Sequence, residues 1–133
     1  MTRSVIAIVV GFVLIAALSF GADALMAMAY PSLMKDRIDS LPILCASLLY
    51  VAVFAVFGCY VTARLAPNRP MGHALVLGAL GLLFSLAMMP QAWNTVPAWY
   101  NILSLLLVMP YAWIGGRIRE SQLARGARTT AMA

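Results

Sequence analysis

The chain has 133 residues, of which 64% are apolar and only 10% are charged, and its formal net charge is +5. An average soluble domain is about 45–50% apolar and about 25% charged, so this chain has too few polar residues to cover a water-exposed surface. The composition therefore excludes an ordinary water-soluble domain and predicts one membrane domain. The basic residues lie between and after apolar runs, a pattern typical of membrane topology and not of a nucleic-acid-binding face.

The apolar runs predict an all-α fold with four transmembrane helices, since a helical span needs roughly 20 residues. The predicted helices cover residues 5–30, 41–63, 72–89 and 97–116. The first run, which follows Arg3, could instead be a signal peptide cleaved near Asp23, but we expect it to be retained as a helix.

Polar segments separate the predicted helices and follow the last one. Residues 31–40 form the first loop, and residues 64–70 form a tight basic loop whose two prolines prevent helix continuation. Residues 90–97 form an uncharged third loop. Residues 120–133 are rich in Arg, Ala and Thr, and we expect them to form a flexible basic cytoplasmic tail.

The basic residues predict an orientation with both termini in the cytoplasm. One side of the predicted topology holds seven of the nine basic residues: Arg3, Arg64, Arg69, Arg117, Arg119, Arg125 and Arg128. The other side holds only Lys35 and Arg37, which is a clear positive-inside bias. Aromatic residues agree with this assignment, with Tyr30, Trp93, Trp99 and Tyr100 at the outer interface and Tyr60, Tyr111 and Trp113 at the inner one.

Two further patterns concern helix packing. Helices two and four both end in small residues followed by Arg, so the two helical hairpins could be parallel repeats. Small residues also recur at four-residue spacing, which favours close helix contacts; the pairs include Ala7/Gly11, Ala17/Gly21, Gly58/Thr62, Ala74/Gly78, Gly81/Ser85 and Ala112/Gly116. Packing within the chain would use most of these pairs, and a surplus could serve an oligomer or a partner.

Asp23 is the only acidic residue inside an apolar run. A charge in hydrocarbon costs about 2.5–3.5 kcal/mol at mid-depth, so Asp23 should face the bundle interior. At similar depth the other helices carry Ser47, Tyr50, Asn101 and Ser104, and together these residues could form a polar intramembrane pocket. The pocket would bind an ion, a proton or a polar ligand, or else Asp23 is a hydrogen-bonded carboxylate that only fixes helix packing.

A second cluster is predicted at the cytoplasmic surface, where Arg64, Arg69, His73, Arg117 and Arg119 come together. The phosphate of an anionic phospholipid is the natural ligand for such a cluster, and a partner protein is the other candidate. His73 could also ligate a haem or a pigment, although an interfacial anchor is the simpler interpretation.

No catalytic, nucleotide-binding or metal-binding motif is present in the sequence. The single histidine rules out a paired-histidine site within one chain. Cys45 and Cys59 lie about 21 Å apart along one predicted helix, which excludes a disulfide between them. We therefore expect no enzyme activity, no metal and no cofactor.

The end of the second predicted helix and the loop after it resemble a sequence pattern found in other membrane proteins. Gly58 to Pro67 reads GCYVTARLAP, and Arg69 to Ala74 reads RPMGHA before a glycine-rich third helix. This segment resembles small bacterial four-helix inner-membrane proteins whose second helix ends G-G-Y-x-x-A-R-x-A-P, with Cys59 here in place of the second glycine. The resemblance implies the fold and a bacterial inner-membrane location, and it implies no activity.

Together these observations favour an accessory or structural subunit that packs in a larger membrane complex or with itself. The alternative is a small proton- or ion-coupled transporter or channel that uses Asp23. A pigment- or haem-binding subunit that uses His73 is the third hypothesis. The sequence predicts membrane lipids and other membrane subunits as partners, and no nucleic acid.

Overall fold

The computed structural model of the chain describes residues 2–31, 40–66, 69–93 and 95–131. This part of the chain forms four helices, namely α1 (Thr2–Ala29), α2 (Leu41–Leu65), α3 (Pro70–Ala92) and α4 (Ala98–Ala131). Each helix is long and apolar enough to cross a membrane. The predicted all-α membrane fold with four spans is confirmed. The predicted loop charges Lys35 and Arg37 lie outside the described residues.

The helices are longer than the sequence pattern indicates. α3 starts at Pro70, because proline is well tolerated in the first turn of a helix, and it continues through Pro90 to Ala92. α4 continues to Ala131, so residues 117–131 are helical where we predicted a helix end at residue 116 and a flexible tail from residue 120. The Arg, Ala, Glu, Gln and Leu residues of this segment are good helix formers, which explains the difference.

The four helices are arranged up and down around a central α2–α3 pair. α4 packs against α3 and α2, and α1 packs against α2 and, less extensively, against α3. α1 and α4 scarcely touch, because they lie on opposite sides of the central pair. We call the end of the bundle with the start of α1 and the end of α2 the proximal end, and the end with Ala29 and Leu41 the distal end.

Small residues hold the proximal half of the bundle together. The buried core here consists of Cys59, Ala63, Ala74, Leu77 and Ala112. Glycines complete it, because any added Cβ atom would meet a neighbouring helix at Gly11, Gly58, Gly78, Gly115 and Gly116. Close backbone approach of this kind is how helices associate in lipid, where no hydrophobic force drives them together.

A buried hydrogen bond adds to this packing between α1 and α2. The Thr62 hydroxyl donates to the Ala7 carbonyl oxygen over 3.1 Å, and both residues are fully buried. Gly11 lies directly against Thr62, so the absence of a side chain there makes room for this bond. The proximal half is therefore the tightly packed part of the molecule.

Candidate polar site and central cavity

Asp23 and Tyr50 form the centre of the candidate polar site. Asp23 lies half-buried on α1, and its Oδ1 atom accepts a hydrogen bond from the Tyr50 hydroxyl of α2. A donated hydrogen bond lowers the cost of placing a carboxylate in an apolar helix. Two of the five residues predicted for this site are therefore in direct contact, one on α1 and the other on α2.

The two predicted serines hydrogen-bond to their own helices. Ser47, which is 1% exposed, donates to the Ile43 carbonyl over 2.9 Å. Ser104 donates to the Asn101 carbonyl over 2.9 Å. Such bonds are available to any helical serine, so they satisfy the hydroxyls without building a ligand site.

Asn101 has a side-chain donor without a partner. The residue is 8% exposed, and its Nδ2 atom makes no hydrogen bond among the described residues. A buried donor in this condition costs about 1–3 kcal/mol relative to a satisfied one. Asn101 precedes Ser104 by one helical turn, so both residues lie on a similar face of α4.

A cavity of about 260 Å³ lies between the four helices. Its walls are mostly apolar and come from every helix, with residues that include Phe12, Ile15, Phe20, Leu48, Val51, Leu77, Phe84 and Val108. Three serines, Ser19, Ser85 and Ser104, also line it, as does Tyr111. The cavity lies where α1 and α4, which scarcely touch, face each other across the bundle.

The sequence did not predict this cavity. Ser19 is on the same helical face as Asp23, and Ser85 belongs to one of the small-residue pairs, so both residues stood out in the sequence. The sequence pattern does not show that α1 and α4 are separated, because this separation depends on how all four helices pack.

The five residues of the predicted basic cluster lie toward the proximal end, three of them near the termini of α2 and α3 and two within α4. Arg64 is in the last turn of α2, and Arg69 precedes α3 with a left-handed backbone (φ 49°). His73 Nδ1–H donates to the Arg69 carbonyl over 3.2 Å. On α4, Arg117 stacks over Trp113 at 5.4 Å from the ring centroid.

Arg117 also lies 3.9 Å from the Glu120 carboxylate. Its neighbour Arg119 is half-buried, and the Arg119 Nε atom has no hydrogen-bond partner within the described ranges. This end of the bundle is therefore basic, and the guanidinium group of Arg119 has a buried Nε donor that no described residue satisfies.

Residues that could hold a metal ion do not come together. Among the described residues, no group of three or more His, Cys, Asp or Glu side chains is close enough to do so. Cys45 is exposed, Cys59 is buried, and both are free thiols.

Comparison with known proteins finds no matching family model and no significant match among curated proteins or solved structures.

Proposed function

We propose that this protein is a non-enzymatic accessory subunit that packs through α1 against another membrane helix, in a larger complex or in a second copy of the chain. The observation that carries the proposal is an unused small-residue pair on α1. Ala17 and Gly21 are four residues apart and exposed, and a Cβ atom added at Gly21 would meet no atom of the described residues within 4 Å.

Gly21 differs in this respect from the glycines of the proximal core. Gly11, Gly58 and Gly115, for example, each lie against a neighbouring helix of the same chain. In lipid, small residues at four-residue spacing allow a second helix to approach closely. Large apolar side chains border the pair, since Phe20 is 68% exposed and Leu25 is 69% exposed. The distal half of α1 thus offers a shallow groove with apolar borders.

The subunit is proposed to lie in a bacterial inner membrane with both termini in the cytoplasm. The seven-to-two distribution of basic residues in the sequence supports this orientation. It makes the proximal end cytoplasmic, where Arg64, Arg69, His73, Arg117 and Arg119 would meet anionic phospholipid. A helical extension at residues 117–131 would reach about 22 Å into the cytoplasm.

The test is co-purification under mild detergent after cross-linking in the membrane. We expect the unaltered chain to bring down a second membrane protein or to run as a homo-oligomer. Gly21→Phe should reduce the recovered complex at least tenfold, because the ring prevents close approach. Ala87→Phe, a matched change at an exposed position of α3, should leave recovery unchanged. A chain that runs alone, with no effect of Gly21→Phe, would refute the proposal.

Ion-coupled transport is the second candidate, and the Asp23–Tyr50 hydrogen bond inside the predicted span favours it. A carboxylate held by a phenol could exchange a proton during transport. Reconstituted Asp23→Asn protein provides the test. If proton-linked uptake into proteoliposomes is the same as for the unaltered chain, this candidate is eliminated.

A further inference from the structure

The central cavity is large for an unfilled space inside a protein. Protein interiors are close-packed and contain few voids larger than a water molecule. At about 260 Å³ the cavity exceeds an engineered apolar cavity of about 150 Å³ that binds benzene. By this comparison it has room for roughly ten non-hydrogen atoms.

The chemistry of the walls selects the kind of molecule that can enter. Phe12, Ile15, Leu48, Leu77 and Val108 offer only hydrocarbon. Water needs two to four polar partners to occupy a buried site, so this part of the cavity stays dry. A charged or strongly polar ligand is excluded for the same reason. A hydrocarbon chain of small cross-section fits both the walls and the volume.

The cavity reaches the lateral surface of the bundle. Phe20 on α1 is 68% exposed and Phe84 on α3 is 45% exposed, yet both rings line the cavity. These two helices pack less closely than the other neighbouring pairs. The mouth therefore lies between α1 and α3, at a depth where a membrane presents hydrocarbon chains to the protein.

Hydrogen-bond donors gather on the distal side of the cavity. Ser19 and Ser85 line it and lie about 10–15 Å from the distal ends of their helices, at about 1.5 Å per residue. A chain entering from the distal leaflet would place a carbonyl oxygen within reach of these donors.

We propose that the central cavity binds the carbonyl end, roughly ten non-hydrogen atoms, of one acyl chain of a bilayer phospholipid, which enters between α1 and α3 from the distal leaflet. The ester carbonyl accepts hydrogen bonds from the Ser19 and Ser85 hydroxyls, and the methylene chain extends toward Cys59 and Leu77. The Ala17–Gly21 groove is a different site, since neither of those residues lines the cavity, although Phe20 borders both.

Native mass spectrometry of the full chain in mild detergent, with added phospholipid, tests this inference. The unaltered protein should retain one phospholipid per chain. Gly81→Phe fills the cavity from α3, where a Cβ atom has only an ordinary 3.6 Å contact with Val108, and should lower the lipid-bound fraction at least fivefold. Gly21→Phe, the matched control, should change this fraction less than twofold while it disrupts the complex proposed above.

A second variant covers the case in which Gly81→Phe does not fold. Ser19→Ala combined with Ser85→Ala keeps the cavity shape, and loss of the two donors should lower the lipid-bound fraction about fivefold. A free fatty acid with the same chain is the competing probe. Retention of the fatty acid but not of the phospholipid would overturn the assignment to a bilayer lipid. Equal loss in Gly81→Phe and Gly21→Phe, or no bound lipid at all, would overturn the cavity site.

Discussion

Asp23 and Tyr50 join α1 to α2 in the distal half, where small-residue contacts are few. The Tyr50 hydroxyl donates to the Asp23 carboxylate, and the Tyr50 ring lies 5.9 Å from that of Phe54. The hydrogen bond therefore connects a carboxylate that needs a donor to a tyrosine already held by its own helix. It is the residue contact in the candidate polar site that can be measured most directly.

A double-mutant cycle should detect the interaction between these two side chains. Tyr50→Phe and Asp23→Ala should each lower the free energy of unfolding, and the coupling between them should be about 0.5–2 kcal/mol, the range for polar side-chain bonds in membrane proteins. Unfolding in mixed SDS and mild-detergent micelles, followed by circular dichroism, gives the four values. Additive effects of the two changes would mean that the hydrogen bond contributes nothing to stability.

The sequence was informative about Asp23 and less so about its predicted companions. A lone carboxylate in an apolar helix must find a donor, and Tyr50 lies at a similar depth on the next helix, so the predicted pocket contained both residues without identifying them as a pair. Ser47 and Ser104 lie at similar depth, yet they donate to carbonyls of their own helices. That local competition for a hydroxyl cannot be resolved from residue spacing.

Glycine contacts position the helices of the proximal half relative to one another. Gly115 of α4 lies against the backbone of α2, so that an added Cβ atom would be 2.7 Å from the Val56 carbonyl oxygen and 2.9 Å from the Tyr60 nitrogen. Backbone atoms cannot move aside as the end of a flexible side chain can. Any side chain at residue 115 must therefore push α4 away from α2.

Gly115→Ala should consequently destabilise the bundle by about 1–3 kcal/mol, the usual cost of overpacking a core. Gly21→Ala adds the same methyl group in open space and should change stability by no more than about 1 kcal/mol, as helix propensity does. Both variants can be compared by thermal unfolding of the isolated chain in one detergent. Equal melting temperatures for the two would contradict the close α2–α4 contact.

Helix number and approximate position could be predicted, because about 20 apolar residues in a row have few alternatives to a membrane span. The C-terminal end of α4 was harder to predict, because residues 117–131 contain both good helix formers and the charged residues that suggested a flexible tail. The pairwise packing was not accessible either. Nothing in the α1 sequence alone distinguishes Gly11, which meets Thr62, from Gly21, which meets no other residue.

The two ends of the molecule differ in charge and in how closely the helices pack. The proximal end combines the close-packed core with the basic cluster, and the distal end carries the Asp23 site and the mouth of the cavity. If the seven-to-two charge distribution sets the orientation, then the close-packed end faces the cytoplasm and the mouth of the cavity opens toward the outer leaflet. The direction of insertion therefore determines which leaflet supplies the proposed lipid.

Cysteine labelling in intact cells tests this orientation. In a Cys45→Ala, Cys59→Ala background, Thr95→Cys introduces a thiol at an exposed distal position and Ser121→Cys introduces one on the exposed extension of α4. A membrane-impermeant thiol reagent added to the outside should modify residue 95 in intact cells and residue 121 only after permeabilisation. The background chain without cysteine is the control for unspecific labelling. The opposite pattern would reverse the predicted topology and would assign the cavity to the cytoplasmic leaflet, whereas labelling of both residues in intact cells would contradict a single orientation.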